Sequence, residues 1–309
     1  MEFKHISVLL KPTIDGLKPI EDGVYVDATL GAGGHSMELM KQINAGKLIV
    51  FDVNSEACKH FAQKLVTEFG YKKFESKNPA VNVLKKNAIT INIVNANFNM
   101  LDTYVQGKVN GIIADLGFAT DELESIEGLS FLKDESLDMR LDGNLTVRAA
   151  DLINGLYANE LEALFIKYGD VAFAKRLAKE VVLSRKEEPI NRTLQLNRLI
   201  QKIVPFGLRK GSNKHPEAKV YQALRIAVND ELNSLIKFLE KGFEILGSGG
   251  KFALISFHSG EDRIVKSFFR SQVEAGRAEH IIKLRKTNEE EVKSNNNSRS
   301  AKLRILAKL

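Results

Sequence analysis

The sequence predicts an α/β fold in which a doubly wound parallel sheet is interrupted by an inserted helical domain. Short buried strands alternate with helical patterns, and a glycine-rich turn follows the first strand. Between the fourth strand and a helix that begins near residue 216 lie roughly 100 residues, too many for a simple connection. The 309 residues, of which 44% are hydrophobic, can bury a sizeable core and suggest roughly two domains.

The strands are predicted from apolar runs bounded by turn residues. A final pair of strands is predicted around an asparagine-rich loop, and the polar, lysine-rich segment 70–87 is predicted as a surface excursion. The predicted parallel strands cover residues 24–26, 47–52, 89–98, 109–118 and 250–258, and the final pair covers 279–286 and 300–309.

The turn in "VYVDATLGAGGHS" lies between the carboxyl end of the first strand and a helix that starts near His35. Glycine accepts a positive φ and lacks the Cβ that would keep a ligand away from the backbone, while a helix start offers free amide donors. Asp52 ends the second strand 19 residues after Gly33, near the separation at which a carboxylate contacts ribose hydroxyls. The turn therefore predicts a nucleotide-containing cofactor.

The spacing within the turn bears on which cofactor binds. Asp27 is followed by Thr29, Gly31 and Gly33, which resembles the D/E-x-G-x-G-x-G motif of class I methyltransferases with Thr29 at the first glycine. Dehydrogenases have G-x-G-x-x-G instead. The pattern favours S-adenosylmethionine, and an NAD-dependent Rossmann enzyme stays open as an alternative that would require a hydride-handling site.

Charge is distributed unevenly along the chain, whose net charge is +6. Residues 115–170 hold 13 acidic and 4 basic residues, 175–225 hold 13 basic and 4 acidic, and 270–309 hold 10 basic and 5 acidic. Two basic regions flanking an acidic one suit a polyanion such as RNA, although solvated helix faces give the same counts.

Several classes of protein are disfavoured by what the sequence lacks. Cys58 is the single cysteine, so an internal disulfide and a cysteine-based metal cluster are excluded, and no H-E-x-x-H motif predicts a metal. No run of roughly 18 uncharged apolar residues predicts a membrane span, and "MEFKHISVLLKP" does not resemble a signal peptide. We expect a cytoplasmic location.

Six segments together resemble the MraW family of ribosomal RNA methyltransferases, in the family's order and over nearly the whole chain. They are "HISVLL", "DATLGAGGHS", "GLSFLKDESLDMRLD", "YQALRIAVNDEL", "ISFHSGEDRIVKSFF" and "SRSAKLR". The resemblance implies a class I S-adenosylmethionine-dependent methyltransferase. Its expected reaction is methylation of the exocyclic N4 of a cytosine in the decoding region (P site) of 16S rRNA within the small ribosomal subunit. Both a monomer and a homodimer are compatible with the sequence.

The resemblance also assigns site residues. Asp115 is implied to contact the methyl donor and is also a candidate acceptor for the proton of the target amine. His258 is a catalytic candidate whose alternative role is to orient a loop. Ser259 and Asp262 are predicted to cap the helix that follows. Glu122 stands where the family commonly has glutamine. The implied donor contacts are Gly33, Gly34, His35, Asp52, Phe98, Asp115 and Glu122.

The predicted domains are a discontinuous methyltransferase domain, 1–117 with 216–309, and an inserted helical substrate-recognition domain, 118–215. Basic residues in the insert are the candidates for RNA contact. A catalytically inactive ribosome-binding factor is the second alternative, because Glu122 and Gly260 depart from the family pattern. The RNA candidates are Lys175, Arg176, Lys179, Arg185, Lys186, Arg209, Lys210 and Lys214.

Overall fold

The computed structural model describes residues 7–117, 126–204 and 215–309. The chain divides into a sheet unit, Met1–Ala119 with Leu232–Leu309, and a helical unit, Thr120–Glu231. The second boundary therefore lies at Glu231, beyond the predicted 215. The physical reason is that the helix after residue 216 contributes Val220 and Leu224 to the core of the helical unit.

Within the described residues, the sheet unit has nine strands in the order β3-β4-β5-β2-β1-β6-β7-β9-β8. The contacts β5-β2, β2-β1, β1-β6 and β6-β7 are parallel, and the remaining ones are antiparallel. The five predicted parallel strands and the final antiparallel pair are thus confirmed. The strands are β1 Val24–Asp27, β2 Ala45–Asp52, β3 Lys72–Phe74, β4 Val81–Lys86, β5 Ala88–Asn95, β6 Val109–Asp115, β7 Leu246–Ser256, β8 Ala278–Lys286 and β9 Lys302–Lys308.

Segment 70–87 lies at the surface between the second and third parallel strands, as predicted, but it has regular strand structure. It forms β3 and β4, which extend the sheet beyond β5 as an antiparallel hairpin. The alternation in "VNVL" explains the difference: Leu84 is fully buried, whereas Val81 and Val83 point to the other face of the strand. Pairing with the otherwise open edge of β5 provides the backbone hydrogen bonds.

The described helices are distributed between the two units. Helices α5 to α9 belong to the helical unit, and the sheet unit contains the others apart from Glu231, the first residue of α10. Their bounds are α1 Leu10–Leu17, α2 Gly34–Met40, α3 Ser55–Thr67, α4 Leu101–Tyr104, α5 Ala149–Gly155, α6 Ala158–Gly169, α7 Ala174–Ser184, α8 Thr193–Ile203, α9 Glu217–Val228, α10 Glu231–Ile245, α11 Ser259–Glu274 and α12 Glu289–Ser294.

Both faces of the sheet are covered by apolar side chains, as a doubly wound sheet requires. Along β2, Leu48 and Val50 join a core with Phe61 and Leu65 of α3. The alternate residues of β2 join a second core on the opposite face, together with Phe238 of α10. Because helices cover both faces, ligands can reach the sheet at the ends of its strands.

The helical unit has a core of its own. Leu161 and Phe165 of α6 are fully buried in it. Leu137 and Met139, from the segment "SLDMRLD", are also fully buried there. None of the helices in the described ranges combines the length and apolar character needed to cross a bilayer.

Candidate active site

Asp27 ends β1 and holds the turn that follows it. Its Oδ2 accepts a hydrogen bond from the Ser36 hydroxyl at 2.7 Å, and its Oδ1 accepts one from the Thr29 amide at 3.2 Å. Burial raises the pKa of Asp27 to about 7, and the neighbouring charge of Asp52 adds to this effect. Since Asp27 is only 1% exposed, it fixes the shape of the turn from beneath.

Asp52 ends β2 on the other side of the same turn. Its Oδ2 accepts from the Gly31 amide at 2.9 Å, and its Oδ1 accepts from the Asn54 amide at 2.8 Å. Burial raises the pKa of this carboxyl, and the amide hydrogen bonds oppose the shift. Each carboxylate oxygen can accept a second hydrogen bond, so Asp52 suits the hydroxyl pair of a ribose.

The three glycines of the turn serve different purposes. Gly33 has φ +81°, and a Cβ there would lie 2.6 Å from the Phe61 ring, while a Cβ on Gly34 would overlap the Ser7 side chain. Gly31 also has a positive φ, +49°, but a Cβ there would meet no atom within 4 Å. Gly33 and Gly34 are therefore required by packing, and Gly31 borders open space where a cofactor can approach the backbone.

Asp115 ends β6, the other strand that flanks β1. Its amide donates to the Thr29 hydroxyl oxygen at 2.6 Å, and its Oδ1 accepts from the Gly117 amide at 3.3 Å. Its Oδ2 lies 3.8 Å from Nδ1 of His35, and the two side chains are 14% and 6% exposed. The structure thus brings two predicted site residues, His35 and Asp115, together beside the turn.

Phe98 does not end the third parallel strand as predicted, since β5 stops at Asn95 and Phe98 begins a single 3₁₀ turn. Asn97 caps that turn by accepting a hydrogen bond from the Asn99 amide. The Phe98 ring lies 4.9 Å from the ring of Phe238, centroid to centroid. Phe98 is therefore partly buried against the core near the carboxyl end of β5. Glu122 lies outside the described residues.

His258 is the N-cap of α11. Its Nδ1 accepts from the amides of Gly260 at 3.2 Å and Glu261 at 3.4 Å, while Oε2 of Glu261 accepts from the His258 amide at 3.2 Å. The predicted pair of Ser259 and Asp262 is therefore wrong. Asp262 instead contacts two basic residues of β9, with its carboxylate oxygens 2.9 Å from Arg304 and 3.0 Å from Lys302.

The predicted RNA-contact residues that are described lie on and just after α7. Lys175, Arg176, Lys179 and Lys186 are exposed. Arg185 differs from them, because its Nη1 donates to the carbonyl oxygen of Ile153 in the last turn of α5. That contact gives Arg185 a structural role at the end of a helix. Arg209, Lys210 and Lys214 fall outside the described residues.

Three acids from adjacent parallel strands meet at one edge of the sheet around the glycine turn. Asp27 and Asp52 were visible in the sequence as strand-ending acids, but the roles of Ser36 and Asn54 were not predicted. Thr29 carried a signal, because it replaces the first glycine of the motif, and its hydroxyl accepts the Asp115 amide hydrogen. This constellation can hold a nucleoside by its ribose and place a carboxylate near the reacting atoms.

Fold and site together define a class I S-adenosylmethionine-dependent methyltransferase. In the sheet, β9 is inserted antiparallel between β7 and β8, unlike the 3-2-1-4-5-6 order of a dinucleotide-binding Rossmann sheet. The model of the MraW methylase family matches residues 2–309. The chain therefore belongs to the MraW methylase family.

Curated relatives carry a more specific description. Proteins named ribosomal RNA small subunit methyltransferase H from Lactobacillus acidophilus and Clostridium botulinum are each 37% identical to this chain, over 100% of both sequences. A solved rRNA methylase from Streptococcus thermophilus aligns with 99% of each chain at 12% identity, with a TM-score of 0.46.

Proposed function

We propose that this protein methylates the exocyclic N4 of a cytosine in the decoding region (P site) of 16S rRNA, within the small ribosomal subunit. Family membership and the names of the full-length relatives support the substrate class. The observation that carries the proposal is the meeting of Asp27, Asp52 and Asp115 around one glycine turn.

On the donor side, Asp52 accepts hydrogen bonds from the ribose hydroxyls of S-adenosylmethionine, and the backbone of the turn lies against the methionine part of this cofactor. Bound S-adenosylmethionine supplies an electrophilic methyl group on a sulfonium. The open space beside Gly31 fits this cofactor, since a side chain there would fill the approach. The proposed contacts of the donor are Gly31, Gly33, Gly34, His35, Asp52, Phe98, Asp115 and Glu122.

On the acceptor side, the N4 amine of cytosine is a poor nucleophile because its lone pair is delocalised into the ring. Asp115 accepts a hydrogen bond from this amine, which orients the lone pair, and takes up the proton that the amine loses on methylation. The backbone amide of Asp115 donates a hydrogen bond to the Thr29 hydroxyl oxygen, and this contact fixes the backbone from which the Asp115 carboxylate extends. A carboxylate held in this way meets the need for orientation as well as for a proton acceptor.

The helical unit is proposed as the part that recognises the RNA. Its exposed basic residues on and after α7 are placed to neutralise phosphates. A cytosine in folded RNA must also be unstacked before its N4 can be reached, so flanking nucleotides have to be held.

The test is methyl transfer from labelled S-adenosylmethionine to small subunits that lack the modification, followed by nucleoside digestion. Label is expected in N4-methylcytidine. Asp115→Asn keeps the shape of the side chain but is a far weaker base, so we expect kcat to fall about 100-fold or more while the donor still binds. Asp15→Asn, an exposed acid on α1, is the matched control and is expected to keep full activity.

Other outcomes separate the alternatives. Label in a different nucleoside would overturn the assignment of the target atom. Subunit binding with no transfer and no affinity for S-adenosylmethionine would indicate an inactive ribosome-binding factor. Preferential binding of NAD would return the chain to the dehydrogenase alternative.

A further inference from the structure

The β3–β4 hairpin presents an aromatic side chain between lysines. Lys72 pairs with Lys85, and Phe74 pairs with Val83; paired residues of antiparallel strands point to the same face of a sheet. Phe74 is 46% exposed, and Nζ of Lys85 lies 5.1 Å from the centroid of its ring. This face therefore combines an accessible ring with positive charge.

The hairpin and its tip are strongly basic. Within 70–87 there are five exposed lysines and one acid, Glu75. In the part of the chain that the structure describes, none of these lysines forms an ion pair with a carboxylate. Their charge is consequently directed to solvent. The five are Lys72, Lys73, Lys77, Lys85 and Lys86.

The tip of the hairpin is an organised loop. Asn78 Oδ1 accepts from the Ala80 amide at 3.0 Å, and Ser76 Oγ accepts from the Asn78 amide at 3.2 Å. An open cleft of about 380 Å³ lies at this tip, and its lining includes Lys73, Phe74 and Asn82. Because side-chain hydrogen bonds shape the loop, the cleft does not have to be ordered by a ligand.

The tip lies at the same edge of the sheet as the donor turn. The Asn95 amide, at the carboxyl end of β5, donates to the Ala80 carbonyl oxygen at 2.8 Å. Asn95 is also in register with Asp52, and its Nδ2 donates to the Asp52 carbonyl oxygen at 2.9 Å. Since β4 is two strands from β2, the tip is displaced from Asp52 by about 10 Å across the sheet.

We propose that the β3–β4 hairpin is an RNA-binding element, in which lysines contact backbone phosphates and Phe74 stacks on an unpaired base. The inference rests on the proposed function, since an rRNA substrate would place nucleotides beside the donor turn. Lysines that form no ion pair, next to one exposed aromatic ring, match the way proteins hold single-stranded RNA. The hairpin would grip nucleotides flanking the target base.

The test measures binding of the full chain to protein-free 16S rRNA across a series of salt concentrations. Lys72→Gln/Lys85→Gln is expected to lower the slope of log K against log salt by about 1 to 1.5, because each phosphate contact on single-stranded RNA contributes roughly 0.7. Lys59→Gln/Lys64→Gln, on α3 against the opposite face of the sheet, removes the same charge and is expected to leave the slope unchanged.

Phe74 is tested separately. Phe74→Ala is expected to weaken RNA binding about 5-fold to 100-fold, as is typical for loss of one stacked base, and Phe74→Tyr is expected to restore it. Phe74 is exposed, so the fold should persist in both variants, and circular dichroism checks this. The KM for RNA should rise in the alanine variant while kcat and the affinity for S-adenosylmethionine stay as in the wild type.

Unchanged slopes and affinities in the hairpin variants would overturn the proposal. If the variants lost affinity for intact subunits but not for protein-free rRNA, the occupant would be a ribosomal protein, which also overturns it. Failure of the proposed function looks different: the wild type would transfer no methyl group. The dependence of RNA binding on the hairpin is still measured in that case.

Discussion

At the scale of single residues, Asp27 combines a structural contact with an unusual ionisation. A buried carboxylate is costly, and the two hydrogen bonds from Ser36 and Thr29 offset only part of that cost, so its pKa rises to about 7. In the unfolded chain the same group has an ordinary pKa near 4. Between about pH 4 and pH 7 the Asp27 carboxyl is therefore protonated in the folded state and ionised in the unfolded state.

This difference fixes the sign of a pH effect. As pH rises from about 4 to 7, the contribution of Asp27 to the free energy of unfolding falls, because the carboxyl ionises more readily in the unfolded state. This loss of stability is complete above the folded pKa. Asp27→Asn keeps an acceptor for the Thr29 amide and a donor for Ser36 but does not ionise. We expect the variant to gain roughly 3 to 4 kcal/mol on the wild type across this range, since one pKa unit corresponds to about 1.4 kcal/mol.

Denaturant unfolding of both proteins at pH 4, 5, 6, 7 and 8 measures that gain. Taking the difference between them removes the contribution of other titrating groups. A constant difference across the series would contradict the assignment of a raised pKa to Asp27.

Several of the residues that the sequence predicted share a property: they end a strand or lie in the glycine turn. Asp52 and Asp115 are of this kind, because strand ends can be identified from apolar runs. Ser36 and Asn54 could not be assigned in this way, since their partners depend on how the turn packs. Gly31 belonged to the motif, but only the structure separates its open surroundings from the crowded ones of Gly33.

At the scale of elements, the start of α11 gives His258 a structural role. Its Nδ1 accepts two amide hydrogens, and Glu261 accepts from the backbone in return, which is the arrangement of a capping box. Nε2 of His258 lies 3.0 Å from Oε1 of Glu261. The helix that His258 caps thus holds the imidazole through Nδ1, whereas the buried Nε2 has no hydrogen-bond partner among the described residues.

Capping and catalysis at His258 can be separated by substitution. Asparagine is a good N-cap that lacks an ionisable ring, so we expect His258→Asn to keep both stability and kcat. His258→Ala removes the cap and should destabilise the protein by about 1 kcal/mol. Thermal unfolding and methyl transfer are measured for both variants. A large loss of kcat in the asparagine variant at unchanged stability would give the ring a catalytic role.

The strands of the sheet were predicted to different degrees for a physical reason. β2 and β6 have uninterrupted apolar runs, because parallel strands are buried on both faces. All three residues of β3 are exposed and only Leu84 of β4 is buried, and the lysines of both strands resemble a loop in composition. Their strand structure follows from the free edge of β5, and a single sequence does not show which edge is free.

At the scale of the whole molecule, the division into two units follows the long interval between β6 and β7. That interval was apparent in the sequence, and the first boundary was predicted close to where it falls. The second was misplaced because "HPEAKVYQALRIAVNDEL" has a helical pattern that fits either unit. Only its packing, through Val220 and Leu224, shows which core it completes.

Both units contribute exposed basic residues, and the RNA interpretation requires that a group of basic residues in each unit contacts the RNA. Lys175, Arg176 and Lys179 on α7 were predicted as phosphate contacts, with solvated helix faces as the alternative. Replacing all three by glutamine should lower the salt slope of RNA binding by about 2 if each contacts one phosphate. The control Lys11→Gln/Lys59→Gln/Lys237→Gln removes equal charge from exposed positions of the sheet unit and should leave the slope nearly unchanged.

Combining the α7 and hairpin substitutions tests whether the two groups act on one RNA. Sites that do not share contacts contribute additively, so the combined variant should lose about 3 from the slope, with kcat at saturating RNA preserved. A slope that falls only on removal of the hairpin would make α7 a solvated face. A control triple variant with the same loss as the α7 variant would show that net charge, and not position, governs binding.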